Sequence, residues 1–160
     1  MKIAIAAIGR LKSGPEKQLA EDYAQRISAM GKKAGIATLK INEWAESQKP
    51  DLKQRQAEEE TVLWSAVPPG AYVIALDERG KAMASEAFAQ RLRLLMDQGQ
   101  SEIVFMLGGP DGHSPTTRSK AQELLAFGPM TWPHRLARLM LLEQIYRSVT
   151  IMLNHPYHRA

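Results

Sequence analysis

Cysteine is absent from the 160 residues of this chain. Disulfides, thiolate nucleophiles and cysteine-ligated metals are thereby excluded. No apolar run reaches the roughly 18 residues a membrane-spanning helix needs. The apolar residues 1–9 look like a short signal core, but Arg10-Leu11-Lys12 stands where a cleavage region would follow, so the segment reads as a strand. Dense Lys/Arg tracts are missing, and so are repeats, linkers and low-complexity segments. The dinucleotide fingerprint G-x-G-x-x-G and the Walker Gly-Lys-Ser/Thr loop do not occur. There is no nucleophile elbow, and no serine has an obvious base, which speaks against hydrolysis by a triad. No pair of histidines has the His-Glu-x-x-His spacing of a helical zinc site, and no metal is expected. The expectation is a soluble, cytoplasmic protein.

What is present is ordinary for a globular protein: 44% hydrophobic and 24% charged residues, with a formal net charge of +4. The length suits one domain over residues 1–160, large enough to bury a core without staples. Mild basicity is compatible with a polyanionic partner, but a basic surface would have to be assembled by the fold.

The most informative stretch is Ile103-Val-Phe-Met-Leu-Gly-Gly-Pro-Asp-Gly-His-Ser-Pro115. Five consecutive apolar residues suit a strand buried on both faces, as in a parallel sheet. Gly108 and Gly109 leave room for a ligand or a second backbone at its C-terminal end, where open α/β sheets bind ligands. Ser114-Pro115 is an N-cap followed by a helix-starting proline. Similar short apolar runs at 2–8, 35–41, 71–76 and 124–127 read as further strands.

Helical spacing appears between the strands. Leu19, Tyr23, Ile27 and Met30 fall on one face of a helix over 16–30. A charged helix runs from about 50 to 66. Its Glu58-Glu59-Glu60 triplet points about 100° apart per residue, so the carboxylates cannot converge on one centre and read as a solvated face. Ser85 caps a helix to about 98, and a long helix runs from 134 to about 154 with apolar residues on two sides. One side can meet the sheet and the other a second copy of the chain. Alternating strands and helices give an α/β class with a mainly parallel sheet.

In such a sheet the loops after Leu76, Leu107 and Phe127 open at one edge and together can wall a pocket. Met130 and Trp132 either flank an aromatic ligand there or pack the loop. Glu143 and Arg147, four apart, form an ordinary helical pair. The tail Asn154-His-Pro-Tyr-His-Arg159 suits phosphate contact with base stacking, or is simply frayed. Small-group transfer, with the chemistry supplied by a cofactor, fits better than hydrolysis.

Leu107-Gly-Gly-Pro-Asp-Gly112 after a strand, Met130-Thr-Trp-Pro-His134, Arg138-x-x-x-x-Glu-Gln-x-Tyr-Arg147 and the tail together resemble the RlmH family. Its members are pseudouridine N3-methyltransferases of large-subunit ribosomal RNA in the SPOUT superfamily. The resemblance spans the whole chain and is most specific over the last ~60 residues, a share read from motif order. It implies a Rossmann-like sheet with a C-terminal trefoil knot, a homodimer, S-adenosyl-L-methionine as methyl donor and 23S ribosomal RNA in the assembled ribosome as substrate. The implied cofactor contacts are Leu76, Gly108, Gly109, Phe127, Gly128, Pro129, Met130, Thr131 and Trp132. Tyr157 and His158 are expected at the target base, with Arg138 and Arg159 gripping phosphate or carbonyl oxygen and His134 and His155 in reserve. Asp111 stands where the family commonly has Glu, and Trp132 where a smaller apolar residue or Phe is common. The rival readings are a SPOUT enzyme acting on transfer RNA and a non-catalytic, ribosome-associated RNA-binding protein.

Overall fold

A computed structural model describes residues 1–158. The expected phosphate-binding Arg159 lies outside the described residues. In chain order the elements are β1 (Lys2–Ile8), α1 (Pro15–Met30), β2 (Thr38–Trp44), α2 (Leu52–Ser65), β3 (Tyr72–Ala82), α3 (Ser85–Asp97), β4 (Glu102–Leu107), α4 (Pro115–Lys120), β5 (Glu123–Ala126) and α5 (His134–Met152). Short 3-10 turns occupy Gly31–Ala34 and Pro156–His158.

The five strands form one sheet in the order β2-β1-β4-β3-β5, and every pairing is parallel. Side chains alternate across a strand, so each buried strand feeds two cores. Ile3, Ile5 and Ala7 of β1 join Ile103, Phe105 and Leu107 of β4 in one cluster, which α1, α3 and α5 cover. Ala4, Ala6 and Ile8 join Val104 and Met106 in the opposite cluster, under Leu63 of α2. Burying a side chain such as Phe105 or Ile5 contributes about 1.5–3 kcal/mol, so the strand pairs β1 and β4 are the most strongly held part of the sheet.

Three boundaries differ from the sequence reading. β2 starts at Thr38, because Gly35 adopts φ +90° and closes the preceding turn. Ser85 is already helical in α3; its hydroxyl donates to Gln144 instead of capping. β3 does not stop at Leu76. It bulges over residues 77–80 and then pairs with β5 again, Lys81 opposite Leu125 and Ala82 opposite Ala126. At the bulge, a Cβ on Gly80 would stand 2.6 Å from backbone atoms of Leu124 and Leu125, so the two main chains approach there to a distance only glycine permits.

The Glu58–Glu60 triplet is not a wholly solvated face. Glu58 is exposed, but Glu59 is 4% exposed, one turn before Leu63 on the face that α2 turns to the sheet. Among the described residues, no helix is long and apolar enough to cross a membrane.

Candidate active site

β4, β3 and β5 are neighbours in the sheet, so their C-terminal ends lie side by side. The loops that leave them enclose a single cleft of about 730 Å³. Leu76, Gly108, Gly109, Phe127, Gly128, Met130, Thr131 and Trp132 all line it. Pro129 is not on its wall.

The glycine loop is tight because it folds back on itself. A Cβ on Gly108 would lie 3.0 Å from the carbonyl carbon of Gly112. Gly112, at φ +68°, donates its N–H to Gly109 O at 3.0 Å. The second backbone that Gly108 accommodates is therefore its own loop, leaving main-chain groups exposed towards the cleft. Ser114 then caps α4, accepting from the Thr117 N–H at 3.0 Å. Across the cleft, the 127–132 loop turns at Gly128, φ +95°, and is closed by the Trp132 indole donating to Phe127 O at 3.2 Å. Met130 is 70% and Trp132 41% exposed, so these large apolar side chains stand at the mouth and are not packed away in the loop.

Several wall residues escaped the sequence reading. Asp77 accepts from the Arg79 N–H at 3.0 Å, and its other oxygen is 3.8 Å from Arg118. Arg118 in turn donates to His113 O, tying the bulge of β3 to the glycine loop. His113 is buried, with Nε2 3.3 Å from Met106 O, and burial holds its basicity below the ordinary imidazole value. His134, held in reserve from sequence, lines the cleft at the start of α5, 3.3 Å from Glu46, and burial lowers its pKa as well. His134 is signalled by its motif and His113 by its place in the glycine loop, where a surface or capping role is expected and burial is found; Asp77 is marked only by its strand end.

Arg138 is not brought to the cleft. It is 1% exposed, and its guanidinium donates to Glu43 and to the carbonyls of Ile8 and Gly9. Burial lowers its pKa, opposed by Glu43. A guanidinium so engaged ties α5 to the ends of β1 and β2, and its one unpaired nitrogen, Nε, is buried out of reach of RNA phosphate.

The tail is also placed elsewhere. The Tyr157 hydroxyl lies 3.1 Å from both Tyr23 and Glu143, and its ring meets Tyr146 edge-on at 4.7 Å. Burial, then the bond to Tyr23, pushes its pKa up, so the phenol stays protonated. His155 accepts from the Tyr157 N–H at 3.2 Å. The Nδ1 of His158 is buried and without a partner. Neither Tyr157 nor His158 lines the cleft of its own chain. Glu143 also receives two bonds from Arg147, as the spacing suggested. Among the described residues, no group of three or more His, Asp or Glu could hold a metal ion.

A family model described as "Predicted SPOUT methyltransferase" matches residues 1–158. A ribosomal RNA large subunit methyltransferase H of Rhodopseudomonas palustris (strain BisA53) is 48% identical over 160 residues, covering all of both chains. The protein of that name from Bradyrhizobium diazoefficiens is 46% identical, again over all of both chains. Among solved structures, a probable methylase family protein from Haemophilus influenzae Rd KW20 shares the fold, with a TM-score of 0.56 at 14% identity, over 99% of this chain and 70% of that one.

Proposed function

We propose, from the premise that this chain belongs to the SPOUT methyltransferase family and to its RlmH branch, that it methylates N3 of a pseudouridine in 23S ribosomal RNA. The observation that carries the reading is the convergence of three separate loops on one cleft. Its volume lies inside the roughly 300–1,000 Å³ usual for ligand pockets. Leu76, Phe127, Met130 and Trp132 offer apolar walls, and the loops at 108–112 and 127–132 offer backbone donors and acceptors. That combination fits S-adenosylmethionine, which supplies an activated methyl group when bound. The chain's part is to hold donor and acceptor in line and to keep water out.

N3 carries a proton that must leave during attack. Tyr157 gives its one phenolic proton to Glu143, so what it offers the base is its ring and not a proton. His158, whose Nδ1 is buried in its own chain, is the tail group we assign to accept the proton once the second copy is in place. Because both sit away from their own cleft, we place them at the cleft of a second copy in a homodimer. A second, more apolar cleft of about 560 Å³ between α1, α3 and α5, edged by Leu19, Tyr23, Leu139 and Met140, supports a covered face there. Arg138 enters the proposal as a residue that positions α5, and Arg159 as the phosphate grip. The family also implies a trefoil knot in the C-terminal segment, a topology otherwise nearly absent from proteins. A net charge of +4 is small for gripping RNA unaided, which favours the assembled ribosome as substrate.

Mass spectrometry of RNA from a strain lacking the gene tests the reading. It should show one unmethylated pseudouridine in 23S RNA, restored by the gene. A loss confined to transfer RNA would move the enzyme to another SPOUT substrate. Unchanged RNA of both kinds would leave only a binding protein.

A further inference from the structure

Behind the cleft, α2 grips the glycine loop with four side chains on consecutive turns. Arg55 forms a two-pronged pair with Asp111, Nε–Oδ2 2.6 Å and Nη2–Oδ1 3.1 Å. Gln56 donates to Asp111 O at 2.9 Å, and Glu60 accepts from the Ser114 hydroxyl. These three hold the far limb of the loop, residues 111–114. Its root at the end of β4 is met by Glu59 alone. A Cβ on Gly109 would be 3.3 and 3.4 Å from the two Glu59 oxygens and 2.9 Å from Ile8 Cγ2. Gly109 is thus sandwiched between β1 and the carboxyl group.

Glu59 Oε1 accepts the Ser47 N–H at 3.0 Å, whereas Oε2 is buried with no partner. We propose that Glu59 is a positioning residue for the methyl-donor loop, its buried carboxyl fixing Gly109 and with it the main chain that faces the cleft. The importance of that loop for the donor rests on the function proposed above; the seating of Gly109 does not.

The chemistry of the surroundings says which form of the carboxyl fits. Asp111 faces it from the glycine loop and Glu46 from the β2–α2 connection, while Arg55 and Glu58 flank it on α2, Glu58 being occupied by the Ser47 hydroxyl. Arg55 is already spent on Asp111. A charged carboxylate with an unsatisfied buried oxygen is costly there, and a neutral one much less so. Burial first, then Asp111 and Glu46, raise the Glu59 pKa above its ordinary 4.5, against the Ser47 N–H. When Glu59 ionises, turning its carboxylate out to water relieves the cost and frees Gly109. An acid whose pKa is raised in the seated state favours seating fully below the ordinary value. That advantage is lost as pH climbs from 4.5 through the raised value, and is level above it.

Amide hydrogen exchange of residues 108–113 in the full-length protein, between mildly acid and mildly alkaline pH, tests this without any ligand. Wild-type protection should fall with rising pH. Glu59→Gln, a neutral isostere that still accepts from Ser47, should stay protected at every pH, and Glu59→Ala should be loose throughout. The ratio of wild type to Glu59→Gln removes the contribution of His113, which weakens the same loop at acid pH. In turnover, KM for S-adenosylmethionine should rise about tenfold with pH in the wild type at constant kcat, the size expected for one unsatisfied buried group, and stay flat in Glu59→Gln. Wild type and Glu59→Gln running parallel across pH, in either readout, would overturn the proposal. Exchange behaving as stated while no variant, wild type included, takes up S-adenosylmethionine would uphold the seating by Glu59 and sink the methyl-donor reading instead.

Discussion

Arg138 looks from sequence like a hand for phosphate and is in fact a strut. Its charge is neutralised by Glu43, and its donors reach two carbonyls at the end of β1. Replacing it with Ala removes a large buried side chain and leaves those acceptors dry, so stability should fall by about 3 kcal/mol in a urea melt. A change under about 0.5 kcal/mol, the scale of surface substitutions, would contradict its burial. His113 makes the opposite electrostatic argument. It folds neutral, with its pKa below the ordinary 6.5. The unfolded chain binds the proton more readily, so stability present above 6.5 should be lost as pH falls from there towards the lowered value. His113→Gln should flatten that acid limb in melts followed against pH. Neither residue's environment could be read locally. Burial of a single polar side chain depends on what the rest of the fold lays over it, and spacing along α5 or in the glycine loop carries no trace of that.

At the level of elements, the strands were legible wherever an apolar run ended in glycine or a polar turn. The run 103–107 before Gly108 located β4 to within a residue, and the neighbouring ends of β3 and β5 followed from the α/β class. The second half of β3 was not legible, because Asp77-Glu78-Arg79-Gly80 has turn chemistry. It extends only because β5, some forty residues on, pairs with it on both sides of the bulge. The close approach there makes Gly80 the most demanding glycine in the chain. Gly80→Ala should slow refolding and cost about 1–3 kcal/mol or more, as overpacking against fixed backbone does. A variant that refolds at the wild-type rate with unchanged stability would show that the two main chains have room to part. The tail was read correctly as aromatic and basic, but its seat against Tyr23 and Glu143 on α1 and α5 is a tertiary fact.

For the whole molecule, the distance between tail and cleft sets the expectation of a homodimer. Sedimentation should give twice the chain mass, and removing residues 155–160 should abolish methylation while leaving donor binding intact. Mixing that truncation with a variant whose cleft is blocked should restore turnover, since hybrid dimers pair an intact tail with an intact cleft. No recovery on mixing would return the tail to its own chain's chemistry. The family, the parallel sheet and the cleft at the strand ends were within reach of the sequence, because apolar runs ending in glycine mark the strand ends that build it.

Titration calorimetry of S-adenosylmethionine tests the central claim most directly. One site per chain is expected for the wild type. Gly108→Trp, whose side chain would be driven against Gly112 and so distort the glycine-loop wall of the cleft while the chain stays folded by circular dichroism, should lose that binding. Wild-type affinity in the folded Gly108→Trp variant would contradict the account.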